Sequence, residues 1–460
     1  MSYAPASPAT VAAPTNLGLY LYLLFMTSWF LHVPARLPFL GTIRFDLVLV
    51  CLLTAMAFAR RAPGAGQPTE ADKVLRVLLA YAILSVPLVY WPGSVVKIGL
   101  PNFVKAIVFF YFTIVFVRTE TDLRKLVLVF VVLQVLRIME PLYLNITQDY
   151  WGSKASMANW ESLERLSGAP SDVINPNGLA FLVCTVLPFL YFMSGQSMKS
   201  RLAAMGVGAL CIYALALTGS RSGIIGLAVV MLGIVAKSRS PAGFVVASVL
   251  GVAAGGIGFL FLDPDLQDRY LSVIGLGEKN TGTLDERLEG MTTQLSVLMH
   301  RPIFGHGLGT SAEANANFTM EGPYAGWEMP AHNLYLEIGQ ELGVFGIIIF
   351  LFFIKAIFSG FAQSRRACMH HKVTGEFLPK VIDAMQVWLW MNLVFSFASY
   401  GLSSYEWYLF GGLSVVLQRL AGVKAAGGPQ EVNDRSTGRG WLKPADDRGT
   451  LSMKRRGVDA

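Results

Sequence analysis

Asn333–Phe358 reads NLYLEIGQELGVFGIIIFLFFIKAIF, and this stretch decides the fold. From Val344 onward its apolar residues form a continuous block, whereas a half-buried strand would place a polar residue at every second position. A helix needs roughly 17–25 such residues to cross a hydrocarbon core about 30 Å thick. In hydrocarbon every backbone N–H and C=O must find its partner within the protein, which leaves helices or closed barrels. The unbroken pattern selects helices.

Similar blocks recur on both sides of it: Leu17–Val33, Ile43–Ala59, Val74–Tyr90, Leu100–Val117, Leu123–Leu144, Ile174–Met193, Arg201–Thr218, Ser222–Ala236, Ala242–Leu262, Pro379–Tyr400 and Tyr405–Leu420. The expectation is an all-α, polytopic transmembrane helical bundle of about 12 spans. Composition agrees, with 53% hydrophobic and 15% charged residues, where a soluble domain carries about 25% charged. The transmembrane domain is expected over residues 17–423. A polar N-terminal segment, 1–16, and a Gly-rich basic tail, 424–460, flank it and read as disordered cytoplasmic termini. Cys51, Cys184, Cys211 and Cys368 show neither pairing nor metal-ligand spacing, so no disulfide is expected.

Lysine and arginine in short loops set orientation. Arg60, Arg61 and Lys73, then Arg118, Arg124 and Lys125, then Lys199 and Arg201, Lys237 and Arg239, and Arg365, Arg366 and Lys372 all fall on one side if the spans alternate. That side is expected to be cytoplasmic and to hold both termini. Arg36 and Arg44, in the first outer loop, run against the trend. The net charge of +7 is therefore a topology signal, and no nucleic-acid partner is expected.

Two outer loops are long, at about 145–173 and 263–332, and connections of that length tend to be functional. In the second, Thr283-Leu284-Asp285-Glu286 fits a capping box. Leu284, Leu288, Met291, Leu295, Leu298 and Met299 then recur at helical spacing, until Arg301-Pro302 ends the helix. Gly305-His306-Gly307-Leu308-Gly309 follows, where Gly305 and Gly307 permit positive φ and close approach to a ligand, or simply a turn. The loop closes on His332, a water-accessible imidazole able to take or give a proton near neutral pH; its plainer role is an interfacial hydrogen bond. Arg221, between two spans on the outer side, suits a phosphate gripped by two parallel N–H bonds or, equally, lipid head groups.

Other polar residues lie near the same surface. Lys105 and Lys97 flank the start of the fourth span, and Lys105 could face a phosphate or snorkel outward. Arg137 and Glu140, one turn apart, are expected to pair. Glu337 and Glu341 are expected to serve helix-to-helix hydrogen bonding. Tyr324 and Trp327 could stack on sugars or anchor at the interface. Asp263-Pro264-Asp265 spells a two-carboxylate pattern able to hold a divalent cation against a diphosphate, but a solvated proline turn explains it as well, and no metal is expected.

Four pieces in order resemble the O-antigen ligase and polymerase superfamily of bacterial envelope glycosyltransferases. These are Asn175-Pro176-Asn177-Gly178, then Thr218-Gly219-Ser220-Arg221-Ser222, then Arg287 followed by Pro302-Ile303-Phe304-Gly305-His306-Gly307-Leu308-Gly309, and last His332-Asn333 followed by Glu341-Leu342-Gly343-Val344-Phe345-Gly346. The resemblance covers about residues 175–353. It implies a metal-independent, inverting glycosyltransferase of the bacterial inner membrane without a cofactor. The donor would be a glycan on undecaprenyl diphosphate at the periplasmic face, and the acceptor a hydroxyl of lipid A-core, a protein or another glycan. It also implies diphosphate-binding roles for Arg221 and Arg287 and an acceptor-activating role for His332. A polymerase of the same superfamily is the alternative. A lipid-linked glycan transporter is a further one, though it would call for a repeat of broken helices and ionisable residues near the midplane.

Overall fold

The computed structural model describes residues 16–59, 68–152, 164–195, 197–238, 259–260, 262–272, 276, 282–319, 326, 331–370, 375–399 and 401–425, which are helical with no strand among them. The longer helices are α1 (Leu17–Phe30), α2 (Phe45–Ala59), α3 (Glu70–Leu84), α4 (Leu100–Phe116), α5 (Glu120–Gln148), α6 (Pro176–Met193), α7 (Met198–Leu217) and α8 (Arg221–Lys237). After them come α9 (Pro264–Leu271), α10 (Gly282–His300), α11 (Ser311–Phe318), α12 (Leu334–His370), α13 (Phe377–Phe395) and α14 (Tyr405–Ala425). Among the described residues, five helical stretches are long and apolar enough to cross a membrane: Pro92–Phe116, Glu120–Gln148, Pro176–Met193, Met198–Leu217 and Leu334–Met369. Helices α1 and α2 are shorter and apolar. The ninth expected span and both chain termini lie outside the described residues, apart from Asn16 and a few residues near Leu262.

Helix ends follow local chemistry. Thr119 and Asp122 form a reciprocal capping box at the start of α5, satisfying two N–H groups that the helix cannot. Helix α3 stops at Leu84, short of the expected Tyr90, because Pro87 forces the chain into a short 3-10 turn at Val86–Leu88. Helix α5 runs past Pro141 to Gln148, and Asp149 closes it in a left-handed conformation with φ 52°. The first long loop therefore begins at Asp149 rather than Asn145.

The dominant packing feature is a break in α12. Gly343 has φ 64° and ψ −167°, outside the helical region, so α12 is two helices joined at a kink. Leaving the helix there strands backbone groups, and the segment Pro302–Gly307 takes them up. His306 N–H donates to Gln340 O at 2.7 Å, Gly307 N–H to Glu341 O at 3.0 Å, and Val344 N–H to Pro302 O at 2.8 Å. The Tyr81 hydroxyl on α3 donates to Leu342 O at 2.8 Å. Each buried polar group at the kink named here thus has a partner, as an apolar surrounding requires.

Glycine makes this fit possible. A Cβ on Gly343 would lie 2.2 Å from Ile303 O, and one on Gly305 (φ 74°) would lie 2.4 Å from Glu341 O. The loop next runs against a π-helical turn at Val95–Gly99, where a Cβ on Gly99 would come within 1.9 Å of Leu308 O. Tyr90 and Trp91 N–H groups donate to His306 O at 3.0 and 3.2 Å. Gly305 and Gly307 are both buried; their freedom brings backbone against backbone.

These contacts fix which ends share a side. Leu334 at the start of α12 donates to Ser396 O beyond α13 at 2.9 Å, and Phe395 packs on Gly226 of α8 and on Phe181 of α6. The starts of α4, α6, α8 and α12 and the ends of α5, α7 and α13 thus gather at one end, the His332 end. At the opposite end Arg419 donates to Ile114 O at 3.1 Å, and Arg365 pairs with Asp383.

A buried ion pair ties the first long loop to the His332 end. Arg137 of α5 donates through Nε and Nη2 to the two carboxylate oxygens of Asp172, at 2.6 and 3.0 Å, and both residues are buried. His32 Nδ1 is 3.7 Å from the same carboxylate. The expected Arg137–Glu140 pair does not form. Glu140 faces Arg36 instead, at 2.7 and 2.5 Å, because a planar guanidinium takes both oxygens of a facing carboxylate better than a neighbour one turn away can offer them.

Two predictions follow from this packing. Gly343→Ala should cost at least ~1–2 kcal/mol from the left-handed φ alone and more from the clash, lowering the melting temperature of the purified protein. Gly93→Ala, whose Cβ would meet nothing within 4 Å, should melt like wild type. Equal melting of the two variants would contradict the docked break. Asp172→Asn should destabilise by ~3–5 kcal/mol by leaving a buried guanidinium without its counter-charge, whereas Arg137→Met combined with Asp172→Leu should recover most of that loss. Denaturation midpoints of the three variants check this, and a neutral Asp172→Asn would contradict it.

Candidate functional site

The reversal between α7 and α8 is a four-residue turn, Thr218-Gly219-Ser220-Arg221. Ser220 caps α8, its Oγ accepting Gly223 N–H at 3.1 Å, and the Thr218 hydroxyl accepts Ser220 N–H at 3.2 Å. Gly219 takes φ 56°, which glycine adopts without strain. A Cβ there would lie 3.3 Å from Arg269 Cδ and 3.4 Å from Arg165 Nε. The turn is flanked by two further arginines.

Each of the three guanidinium groups is positioned by a main-chain carbonyl. Arg165 Nε donates to Thr218 O at 2.7 Å, Arg269 Nε to Gly219 O at 2.9 Å, and Arg221 Nε to Arg269 O at 3.2 Å. Arg165 Nη2 also donates to Asn177 Oδ1 at 3.1 Å, which accepts the Ser220 hydroxyl at 2.8 Å. Asn175, two residues earlier, caps α6 through Gly178 N–H at 2.8 Å. The Asn-Pro-Asn-Gly and Thr-Gly-Ser-Arg pieces, more than forty residues apart in sequence, are therefore one structural unit. Tyr270 closes it from α9, its hydroxyl donating to Ala216 O at 2.8 Å. Burial pushes that phenol up to about 12, against the opposing pull of Arg165 and Arg269.

Two of these carbonyls belong to the turn and the third to Arg269 itself; guanidinium planes fixed in this way are chemically suited to an anion. Arg165 and Arg269 are additions to the expectation. The signal that singled out Arg221, positive charge on the expected outer side, applies to them equally. Neither belongs to a motif that draws the eye, however, and only the fold brings them to the turn.

His332 is exposed, directly before the Asn333 cap, whose Oδ1 accepts the N–H of Tyr335 at 3.0 Å and of Leu336 at 3.2 Å. It lies at the same end as the arginine turn, with the end of α13 packed between the helices that carry them. His306 differs: it is buried, its Nδ1 lies 3.0 Å from Gln340 O, and burial holds its imidazole below the usual range. A nitrogen at that distance from a carbonyl carries the proton, so Nε2 is the acceptor, and it has no hydrogen-bond partner among the described residues. Trp91 and Phe318 enclose the ring, with centroids at 5.8 and 5.0 Å.

The remaining expected residues fall elsewhere. Arg287 lies on α10, and its side chain is outside the described residues, as are Tyr324 and Trp327. The side chains of the expected capping box at Thr283 are outside them too. Lys105 is exposed on α4, 3.2 Å from Asn102 Oδ1, on a helix that does not carry the arginine turn. Asp263 caps α9, accepting Asp265 N–H at 2.9 Å, which accounts for the first carboxylate of that pattern. Glu337 accepts Gly401 and Leu402 N–H groups at 2.7 and 3.1 Å, holding the α13–α14 connection.

No curated protein matches the chain. Residues 206–351 match the model of the family described as O-Antigen ligase. That segment runs from within α7 into α12 and contains the arginine turn, the docked Pro302–Gly309 loop, the kink at Gly343 and His332. With its long apolar helices, the chain is a helical membrane protein, and its segment 206–351 is similar to the O-antigen ligase family.

Proposed function

We propose that this protein is a membrane glycosyltransferase that moves a glycan from undecaprenyl diphosphate to an acceptor hydroxyl at the outer face of the bacterial inner membrane. The observation that carries the proposal is the convergence of Arg165, Arg221 and Arg269 on one turn at the end where His332 opens α12. The orientation rests on the lysine and arginine count of the short loops, which makes the His332 end periplasmic, puts both termini in the cytoplasm and fits twelve spans.

In the reaction the acceptor oxygen attacks the anomeric carbon of the donor sugar. The bond from that carbon to the diphosphate oxygen breaks, and its electron pair leaves on the diphosphate. The arginines stabilise the developing negative charge in a water-poor site, so the step needs no divalent metal. His332 takes the acceptor proton as the new bond forms. Displacement from the face opposite the leaving group inverts the anomeric centre. Arg287 joins the diphosphate site from α10. The acceptor is a sugar of lipid A-core, a protein side chain or, in a polymerase, another glycan unit; the donor half of the site serves each of these alike.

The roles separate experimentally. Arg221→Ala should weaken donor binding whatever the acceptor, and Arg221→Lys should restore only part of it, because an ammonium keeps the charge and loses the planar fork. Arg165→Ala and Arg269→Ala should show the same donor defect. His332→Ala should bind donor normally and transfer roughly 100- to 10,000-fold more slowly. Donor binding and single-turnover transfer in one nanodisc preparation check all four positions. Normal donor binding by Arg221→Ala, or normal transfer by His332→Ala, would remove that residue from the mechanism. Reporters fused after Arg118, Lys199 or Arg366 should read cytoplasmic and one fused within residues 263–332 periplasmic; the reverse would overturn the orientation.

A further inference from the structure

A cavity of about 250 Å³ opens between α1, α2 and α4 at the His332 end, lined by Trp29, Pro34, Arg44, Phe45, Asp46 and Lys105 with Leu47 and Val50. None of the three arginines of the turn lines it. Its walls are apolar apart from one carboxylate and two cations, which leaves a net positive charge. Asp46 is directed at α1, where Ser28 Oγ donates to it at 2.5 Å. Arg44 and Lys105 make no ion pair among the described residues, and the Lys105 ammonium meets only the neutral Asn102 amide at 3.2 Å.

The contrast with Arg36 is informative. Arg36 and Arg44 share the loop between α1 and α2, and both run against the charge trend of the short loops. Arg36 is answered within the protein by both oxygens of Glu140. Arg44, at a positive φ of 50°, lines an apolar slot together with a second cation, Lys105. A cation at the edge of hydrocarbon is stabilised by an anion at the same depth, and the anions at that depth are lipid head groups. The Trp29 indole also lines the slot, and indole suits the same boundary.

We propose that Arg44 and Lys105 bind the phosphate of an anionic membrane lipid, whose apolar chain lies in the slot beside Trp29 and Val50, at a site separate from the arginine turn. The occupant is a lipid rather than a free phosphate ion because most of the lining is apolar and would gain nothing from an inorganic anion. A lipid held there also covers the seam between α2 and α4.

The test is native mass spectrometry of the full chain, released from detergent after titration with phosphatidylglycerol or with phosphatidylcholine of the same acyl chains. Wild type should retain the anionic lipid in preference. Arg44→Gln and Lys105→Gln should each weaken its retention roughly fivefold, the double variant should abolish the preference, and Lys105→Arg should keep it. Lys97→Gln, at the same end but outside the cavity lining, should behave like wild type. Excess inorganic phosphate should fail to displace the lipid. Melting curves establish that each variant is folded. No preference in wild type, an unchanged preference in a folded double variant, or full displacement by inorganic phosphate would each overturn the proposal. The readout is lipid retention alone, so it stands or falls independently of glycan transfer.

Discussion

The structure depends on one backbone exchange. A helix interrupted inside an apolar bundle exposes carbonyl and amide groups that have no water to turn to, and each unsatisfied group costs several kcal/mol, roughly, in hydrocarbon. At Gly343 the chain accepts that interruption and fills it with the Pro302–Gly307 segment, whose amides and carbonyl replace the missing helical partners. The same segment then turns against the π-helical turn before α4 and against Tyr90 and Trp91. One loop thereby binds the start of α12, the end of α3 and the approach to α4 into a single floor. The helical segment Leu334–Leu342, about 14 Å long at 1.5 Å per residue, separates the kink from His332.

Beside that floor the arginine turn is built on a second economy of backbone. A reversal this short between α7 and α8 leaves the Thr218 and Gly219 carbonyls pointing outward, and Arg165 and Arg269 satisfy them. The bonds that complete the turn also assemble the charge. Arg165 arrives on the loop that the buried Arg137–Asp172 pair anchors, so fold stability and the position of a proposed donor contact are linked through four residues of known geometry. A buried pair of this kind contributes little net stability against an apolar replacement; its value here lies in where it holds the loop.

Much of this was legible in sequence, for reasons that are local. Apolar blocks identify helices because hydrocarbon leaves the backbone no alternative. The four motif pieces were visible as well. Their relations were not: nothing local says that the glycines near His306 fit the break at Gly343, because the complementarity joins residues about forty positions apart. The Arg137–Glu140 reading failed for the same reason. Helical spacing offered a neighbour, and the fold offered each of them a better partner at long range. Arg165 and Arg269 carry no motif, and only the turn they flank gives them a role.

In the proposed mechanism, preorganised arginines, with a histidine at the same end, carry out transfer from a lipid diphosphate. The most direct measurement incubates the purified chain with glycan-loaded undecaprenyl diphosphate and candidate acceptors in excess chelator, and identifies the products by mass spectrometry. The expected products are glycan on the acceptor with an inverted anomeric centre, and free undecaprenyl diphosphate released in equal amount. Activity that vanishes in chelator and returns only with magnesium or manganese would contradict it.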